Sequence, residues 1–276
     1  MLIHFSKMHA LGNDFVILDL ITQPAKLKAK QIKLIADRHF GIGCDQVIVL
    51  EPPIRSTADF SYRIFNPNGQ EAEQCGNGAR CAARFFYDHR WTQKHDLLAD
   101  CLAGPVKLTI EADNTVSLEL GKPIFKPREI PFIQDTEALT YPMTVQNISF
   151  DMSVLSLGNP HAIIQVPQIK DAPVKTLGPL LSTHASFPQA VNVGFMTVLD
   201  RSQIQLRTYE RGVGETWACG TNSAAAAIAG IRLGLLDSPV TIILRAGRLT
   251  VRWDNSHSPV YLRGTTTAVF NGQFSV

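Results

Sequence analysis

Two cysteines stand in front of glycine and a run of small residues, Cys75 in EAEQCGNGARCAARFF and Cys219 in ETWACGTNSAAAAIAG. At the amino end of a helix a sulfur meets unpaired backbone N–H groups and the positive end of the helix dipole, which favours thiolate over thiol. Glycine next in line removes a side chain that would cover those amides. Each motif therefore reads as a titratable sulfur beside a cradle for a carboxylate. Two such sulfurs of matched pKa could invert an α-amino acid without a carrier, one thiolate taking the α-hydrogen from one face while a thiol returns one to the other. Simpler readings exist for single residues. An isolated cysteine usually serves as a small buried hydrophobe, the role expected for Cys44, Cys81 and Cys101. A nucleophilic Cys-His pair using His161 of LGNPHA is the rival chemistry, and it leaves the second cysteine without a role.

The two motifs belong to a longer echo. Cys75 and Cys219 are 219 − 75 = 144 positions apart, and Glu71/Glu215 share that offset. So do Arg63-Ile64-Phe65-Asn66 and Arg207-Thr208-Tyr209-Glu210. At an offset of 146, Leu11-Gly12-Asn13 meets Leu157-Gly158-Asn159, and Gln46-Val47 meets Asn192-Val193. Ordered recurrence at nearly constant offset implies two structurally similar halves.

Each half shows strand-like segments before the cysteine motif (FVILDL, QVIVLE and FSYRIF; HAIIQV, GFMTVL and IQLRTY) and a hairpin pattern after it. The segments after the cysteines lack a polar face and must be enclosed. The expected fold class is α+β, with two pseudo-symmetric lobes, each a curved, mainly antiparallel, barrel-like sheet wrapped around a buried central helix. The lobes are expected at 1–120 plus 265–276 and at 121–264, divided near Gly121-Lys122-Pro123. A surface helix is expected over AKLKAKQIKLIADRH, with a counterpart near Val174 to Thr183. The closing TAVFNGQFSV reads as a hairpin turning at Asn271-Gly272.

Composition narrows the class. Among 276 residues, 45% are apolar and 18% charged, with a formal charge of +2. That balance describes a globular chain and lacks the basic face of a nucleic-acid binder. Five dispersed cysteines, odd in number and without C-x-x-C spacing, argue for reduced thiols over a disulfide framework or a zinc site. The amino end lacks a signal-peptide pattern, and no apolar run approaches the roughly 18 residues of a membrane span, so a cytoplasmic protein is expected.

GNDF, GIGCDQ, RIFNPNGQEAEQCGNGARC, LGNPHA, NVGFM and YERGVGETWACGT occur in the order found in the diaminopimelate epimerase family, which the sequence resembles over most of its length. The resemblance implies interconversion of L,L- and meso-2,6-diaminopimelate, in the lysine and peptidoglycan-precursor pathway, without pyridoxal phosphate, other cofactor or metal. It assigns Cys75 and Cys219 as the acid/base pair, with Gly76-Asn77 and Gly220-Thr221 holding the reacting carboxylate. Asn13, Gln46, Asn66, Asn159, Asn192, Glu210 and Arg211 match substrate-binding positions, and His161 and Glu210 match positions that tune the cysteine pKa values. The family forms homodimers, with Phe270 a candidate contact here. The sequence departs from the family pattern at Asn222, where glycine is common, at Cys44 and Leu157, where Phe and Met are common, and in YLRGTTTAVF, which lacks Thr-Gly-Pro-Ala. A proline racemase-like enzyme and a non-catalytic amino-acid-binding paralogue are the alternatives.

Overall fold

FVILDL and QVIVLE are apolar at nearly every position, as strands are when both faces are covered. In the computed structural model, which describes residues 2–23, 25–73 and 75–275, both segments are strands of this kind. The chain divides into two compact units, Met1–Glu119 with Arg263–Val276, and Leu120–Leu262. The first runs β1 (Leu2–Ala10), β2 (Asn13–Asp19), α1 (Ala29–Ala36), β3 (Gln46–Glu51), β4 (Phe60–Phe65), β5 (Glu71–Ala72), α2 (Gly76–Asp88), β6 (Asp96–Cys101), β7 (Gly104–Ile110) and β8 (Val116–Glu119). Its sheet is ordered β1-β2-β3-β4-β6-β7-β8, antiparallel except at β2–β3 and β4–β6. Helix α2 packs against β1, β2 and β3 and also against β7 and β8, so the sheet curls around it from both ends. Phe15 and Ile48 reach its first turn, 3.3 and 3.1 Å from where a Cβ on Gly78 would stand. The alternate residues Val16, Leu18, Val47 and Val49 pack with Ile32 and Ile35 of α1.

The second unit follows the same plan. It contains β9 (Tyr141–Val145), β10 (Ile148–Ser156), β11 (Pro160–Gln165), α3 (Leu177–Ser182), β12 (Asn192–Asp200), β13 (Gln203–Glu210), β14 (Gly214–Thr216), α4 (Gly220–Arg232), β15 (Val240–Leu244) and β16 (Gly247–Arg252). β17 (Tyr261–Gly264) carries the chain back to the first unit, which ends with β18 (Thr267–Ser275). Pairing is again antiparallel except at β11–β12 and β13–β15, the positions equivalent to β2–β3 and β4–β6. Helix α4 touches β10 to β13, β15 and β16, and Ala224 to Ile228 are fully enclosed. The architecture is α+β, mostly strand, with one enclosed 13-residue helix per unit. The helices start 220 − 76 = 144 residues apart, the spacing of the sequence echo. A buttress recurs with it. Arg63 pairs with Glu71 through two bonds of 2.8 and 2.7 Å, and Arg207 Nε donates to Glu215 at 2.8 Å.

Two expectations are corrected. The surface helix is shorter than its sequence pattern: it begins once Gln31 accepts the Lys28 N–H, and it stops where the Asp37 carboxylate accepts the N–H groups of His39 and Phe40. Asn271-Gly272 is no turn. It lies within β18, antiparallel to β1, with Ser6 opposite Asn271 and Phe5 opposite Gly272. Ser6 Oγ donates to Asn271 Oδ1 at 2.6 Å, and the Phe5 ring occupies the space a Gly272 side chain would take, 2.6 Å from the ideal Cβ. The glycine is there for Phe5. Gly272→Val should therefore destabilise the protein by about 1–3 kcal/mol in chemical denaturation, with most of that cost absent in a Phe5→Ala background. An equal cost in both backgrounds would place its origin elsewhere.

Candidate active site

In the first unit, Cys75 is the N-cap of α2, and its sulfur accepts the Gly78 N–H at 3.4 Å. The tight turn through Leu11 and Gly12, both with positive φ, brings Asn13 beside it. Asn13 Oδ1 lies 3.7 Å from the Cys75 sulfur and accepts from Asn77 Nδ2 at 3.2 Å, while Asn13 Nδ2 donates to Asp45 at 3.0 Å. Asn77 Oδ1 in turn accepts from the fully buried Arg80 at 2.7 Å. Asp45 belongs to a cluster with Arg38, Asp14 and Lys7. Partial burial opposes ionisation of Asp14, but hydrogen bonds from Arg38, Lys7 and the Asp45 amide outweigh it and hold the carboxyl at about 2. Gln46, opposite Phe15 in the β2–β3 register, donates to Asn66 at 3.0 Å.

In the second unit, Cys219 caps α4 in the same backbone conformation, without a side-chain cap bond. Its sulfur is 3.6 Å from Thr221 Oγ1. Asn159 follows Gly158, whose φ is positive, and donates to Thr221 at 3.4 Å. His161 is fully buried. Its Nε2 is 2.9 Å from Asn159 Oδ1, an arrangement that suits an Nε2–H tautomer. Its Nδ1 then accepts from Asn222 Nδ2 at 3.1 Å. Asn192, opposite His161 across β11–β12, holds the Arg211 backbone N–H at 3.0 Å, and the Arg211 guanidinium donates to the Gln189 carbonyl. Glu210 accepts from Thr216.

The first unit thus gathers Asn13, Cys75, Gly76 and Asn77 at its helix start, with Gln46 and Asn66 bonded to each other. The second gathers Asn159, His161, Cys219, Gly220 and Thr221 at its own helix start, with Asn192 and Arg211 joined to each other. The glycines have a packing reason as well. A Cβ on Gly76 would stand 3.1 Å from Leu118, and one on Gly220 would stand 2.8 Å from Leu262. Those leucines are again 262 − 118 = 144 apart. Electrostatics differ from the helix-terminus expectation at Cys219, where burial, followed by the Glu210 carboxylate, pushes the thiol well above its ordinary value. Burial likewise raises Cys44 to about 11 and pushes the fully enclosed Cys81 far up, in keeping with inert core thiols. Cys101 donates to the Gly104 carbonyl. His161 has both ring nitrogens committed to asparagines and none left for the Cys219 proton, which counts against a Cys-His nucleophile. Arg80, Thr208, Asp45 and Asn222 are the polar supports that sequence reasoning missed. The Arg80 and Asp45 positions lie inside quoted motifs, but nothing local marks them as buried or paired.

A family model described as Diaminopimelate epimerase matches residues 5–126 and 153–269. The chain belongs to the diaminopimelate epimerase family. Curated relatives of that name include those of Ectopseudomonas mendocina, 48% identical over 273 residues and 99% of both chains, and Nitrosospira multiformis, 46% identical over 276 residues, 100% of this chain and 99% of the relative. The members so named are isomerases. Among solved structures, a Bacillus anthracis phenazine biosynthesis protein of the PhzF family covers 100% of both chains with a TM-score of 0.70 at 15% identity. A hydroxyproline epimerase from Agrobacterium vitis covers 99% of this chain and 92% of its own, with a TM-score of 0.65 at 15% identity. At that identity the likeness is one of fold. Among the described residues, no helix is long and apolar enough to cross a membrane, and no cluster of His, Cys, Asp and Glu could hold a metal.

Burial, followed by the Arg211 charge, lowers His161 from its ordinary value near 6.5 to about 3. Between those values the unfolded chain binds the proton and the folded one does not, so stability rises with pH in that window and is lost on acidification. Denaturation profiles should therefore show a decline from about pH 6.5 downward that His161→Gln reduces; a profile unchanged by the substitution would remove His161 as its source.

Proposed function

We propose that the protein interconverts L,L- and meso-2,6-diaminopimelate by two-thiol proton transfer at the α-carbon. The observation carrying this reading is the recurrence, in both units of a family member, of a cysteine at the start of an enclosed helix, with an asparagine reaching the sulfur itself in the first unit and the neighbouring Thr221 in the second. In the reaction a thiolate takes the α-proton, forming S–H as C–H breaks. The electron pair left on carbon spreads into the carboxylate, where Gly76-Asn77 and Gly220-Thr221 amides stabilise the growing charge. The second thiol gives its proton to the opposite face and becomes the thiolate, so atoms and charge balance. The reading requires the two sulfurs on opposite sides of one bound carbon. Asn13, Gln46, Asn66, Asn159 and Asn192 supply amides for a substrate with two carboxylates and two ammonium groups. Glu210 can receive an ammonium, and Arg211 can fork onto the distant carboxylate.

The same reading places the enzyme in the cytoplasm, in lysine and peptidoglycan-precursor biosynthesis, working without a cofactor as a homodimer. Half-exposed Phe270 and Val269 on β18 support the last point, since they offer an apolar strip for a second copy.

Incubation in deuterated solvent should carry deuterium into the α-position of diaminopimelate. Exchange into proline instead would favour a proline racemase-like enzyme, and exchange into neither a binding protein. Cys75→Ala and Cys219→Ala should each lower kcat by roughly a hundredfold to ten-thousandfold while the far-ultraviolet circular dichroism and melting stay close to the parent. Turnover retained in either folded variant would end the two-thiol mechanism.

A further inference from the structure

Side-chain hydrogen bonds in the second unit form one continuous chain. Thr208 Oγ1 donates to Asn222 Oδ1 at 3.1 Å, Asn222 Nδ2 to His161 Nδ1 at 3.1 Å, His161 Nε2 to Asn159 Oδ1 at 2.9 Å, and Asn159 Nδ2 to Thr221 Oγ1 at 3.4 Å. Thr221 Oγ1, having accepted, still has its own proton to offer the Cys219 sulfur 3.6 Å away, a contact in which either atom can donate. With the Nε2–H tautomer, every donor as far as Thr221 points the same way, toward the sulfur. Thr208, Asn222 and His161 are all buried, so that part of the chain is shielded from water while Asn159 and Thr221 are half-buried, and head-to-tail bonds in shielded surroundings polarise one another. Asn222 has a place made for it. A Cβ on Gly194 would stand 2.4 Å from Asn222 Oδ1, so the bare backbone of β12 is what lets this side chain lie against Thr208 and the imidazole.

We propose that Asn222 is a positioning residue that fixes the direction of this chain, holding His161 as its Nε2–H tautomer so that Thr221 presents a hydroxyl proton to the Cys219 sulfur. The chain would run equally well in reverse if Asn222 turned its oxygen to the imidazole: Nδ1 would then carry the proton, each amide would turn over, and Thr221 would accept from the sulfur instead of donating. The direction decides whether the network supports thiolate or thiol at Cys219. The donor-forward direction offsets part of what burial and Glu210 do to that thiol. Apart from Cys219, the charged groups bearing on the chain are Glu210, acting on the sulfur, and Arg211, acting on the imidazole. The consequence for catalysis rests on the two-thiol reading above; the tautomer does not.

The test begins with nitrogen-15 spectra of histidine-labelled protein, which distinguish a bare ring nitrogen from a protonated one. The expected pattern for His161 is a bare Nδ1 and a protonated Nε2, and the opposite tautomer overturns the proposal. Asn222→Asp keeps the shape but offers only acceptors, so it forces a proton onto Nδ1; Asn222→Ala removes the link. In both, the pH dependence of Cys219 alkylation, followed by peptide mass spectrometry, should move up by about one unit, a roughly tenfold loss of thiolate at fixed pH. Cys75 alkylation should stay unchanged. Epimerisation should lose kcat in step with the thiolate, with KM within about twofold of the parent. Unmoved Cys219 titration in folded Asn222→Asp protein reduces Asn222 to a packing residue. If the parent protein epimerises nothing, the tautomer and alkylation results still stand, so the failures of the two readings are separable.

Discussion

Helices α2 and α4 have almost no solvent face, and this enclosure governs how the protein can present chemistry. A helix wrapped by its sheet satisfies its interior backbone groups within itself but leaves the first N–H groups open at one end. Ala224 to Ala227 in α4 and Ala79, Cys81, Ala82 and Ala83 in α2 are small enough to let the strands close in. The amino end of each helix then meets turns instead of core. Residues placed there, a sulfur foremost, inherit fixed positions from the packing behind them. Leu118 and Leu262, pressed against the glycines that follow each cysteine, hold both helix starts in the same way.

The two ends are nevertheless supported by different physics. Around Cys75 the hydrogen-bond direction is imposed by charge: Arg80 can only donate, the Asp45 carboxylate can only accept, and Asn77 and Asn13 between them have one arrangement. Arg80 is costly to place there, since its Nε and Nη1 find no hydrogen-bond partner among the described residues. Around Cys219, beside the Glu210 carboxylate, the linked supports are neutral, running from a threonine through amides and an imidazole to another threonine. Direction there depends on which way an amide faces. A duplicated frame has thus been finished with an ionic anchor in one unit and an uncharged relay in the other.

Much of this was legible in the sequence because it is repeated or periodic. The 144-residue offset survives in helix starts, in the Arg/Glu buttresses and in the leucines behind the glycines. The two-sided burial of β2 and β3 shows as unbroken apolar runs. What the sequence concealed depends on distant partners. Asn271-Gly272 carries the strongest local turn signal available, yet Phe5, 267 positions earlier, decides its conformation. Asn222 looked like a departure at a loop glycine, because neither Thr208 nor His161 adjoins it in sequence. The thiolate preference at Cys219 followed from the local helix end, whereas the opposing burial belongs to the whole unit.

The pairing of β1 with β18 joins Leu2 to Ser275. During translation, β1 emerges from the ribosome early and can hydrogen-bond only to β2 until β18 is made. At about 5–20 residues per second, that edge stays open for on the order of ten seconds or longer. The second unit, contiguous from Leu120 to Leu262, is by then fully synthesised. β18, made after the whole of the second unit, therefore completes the first, and a nascent chain stalled before Thr267 would offer β1 to whatever strand it meets.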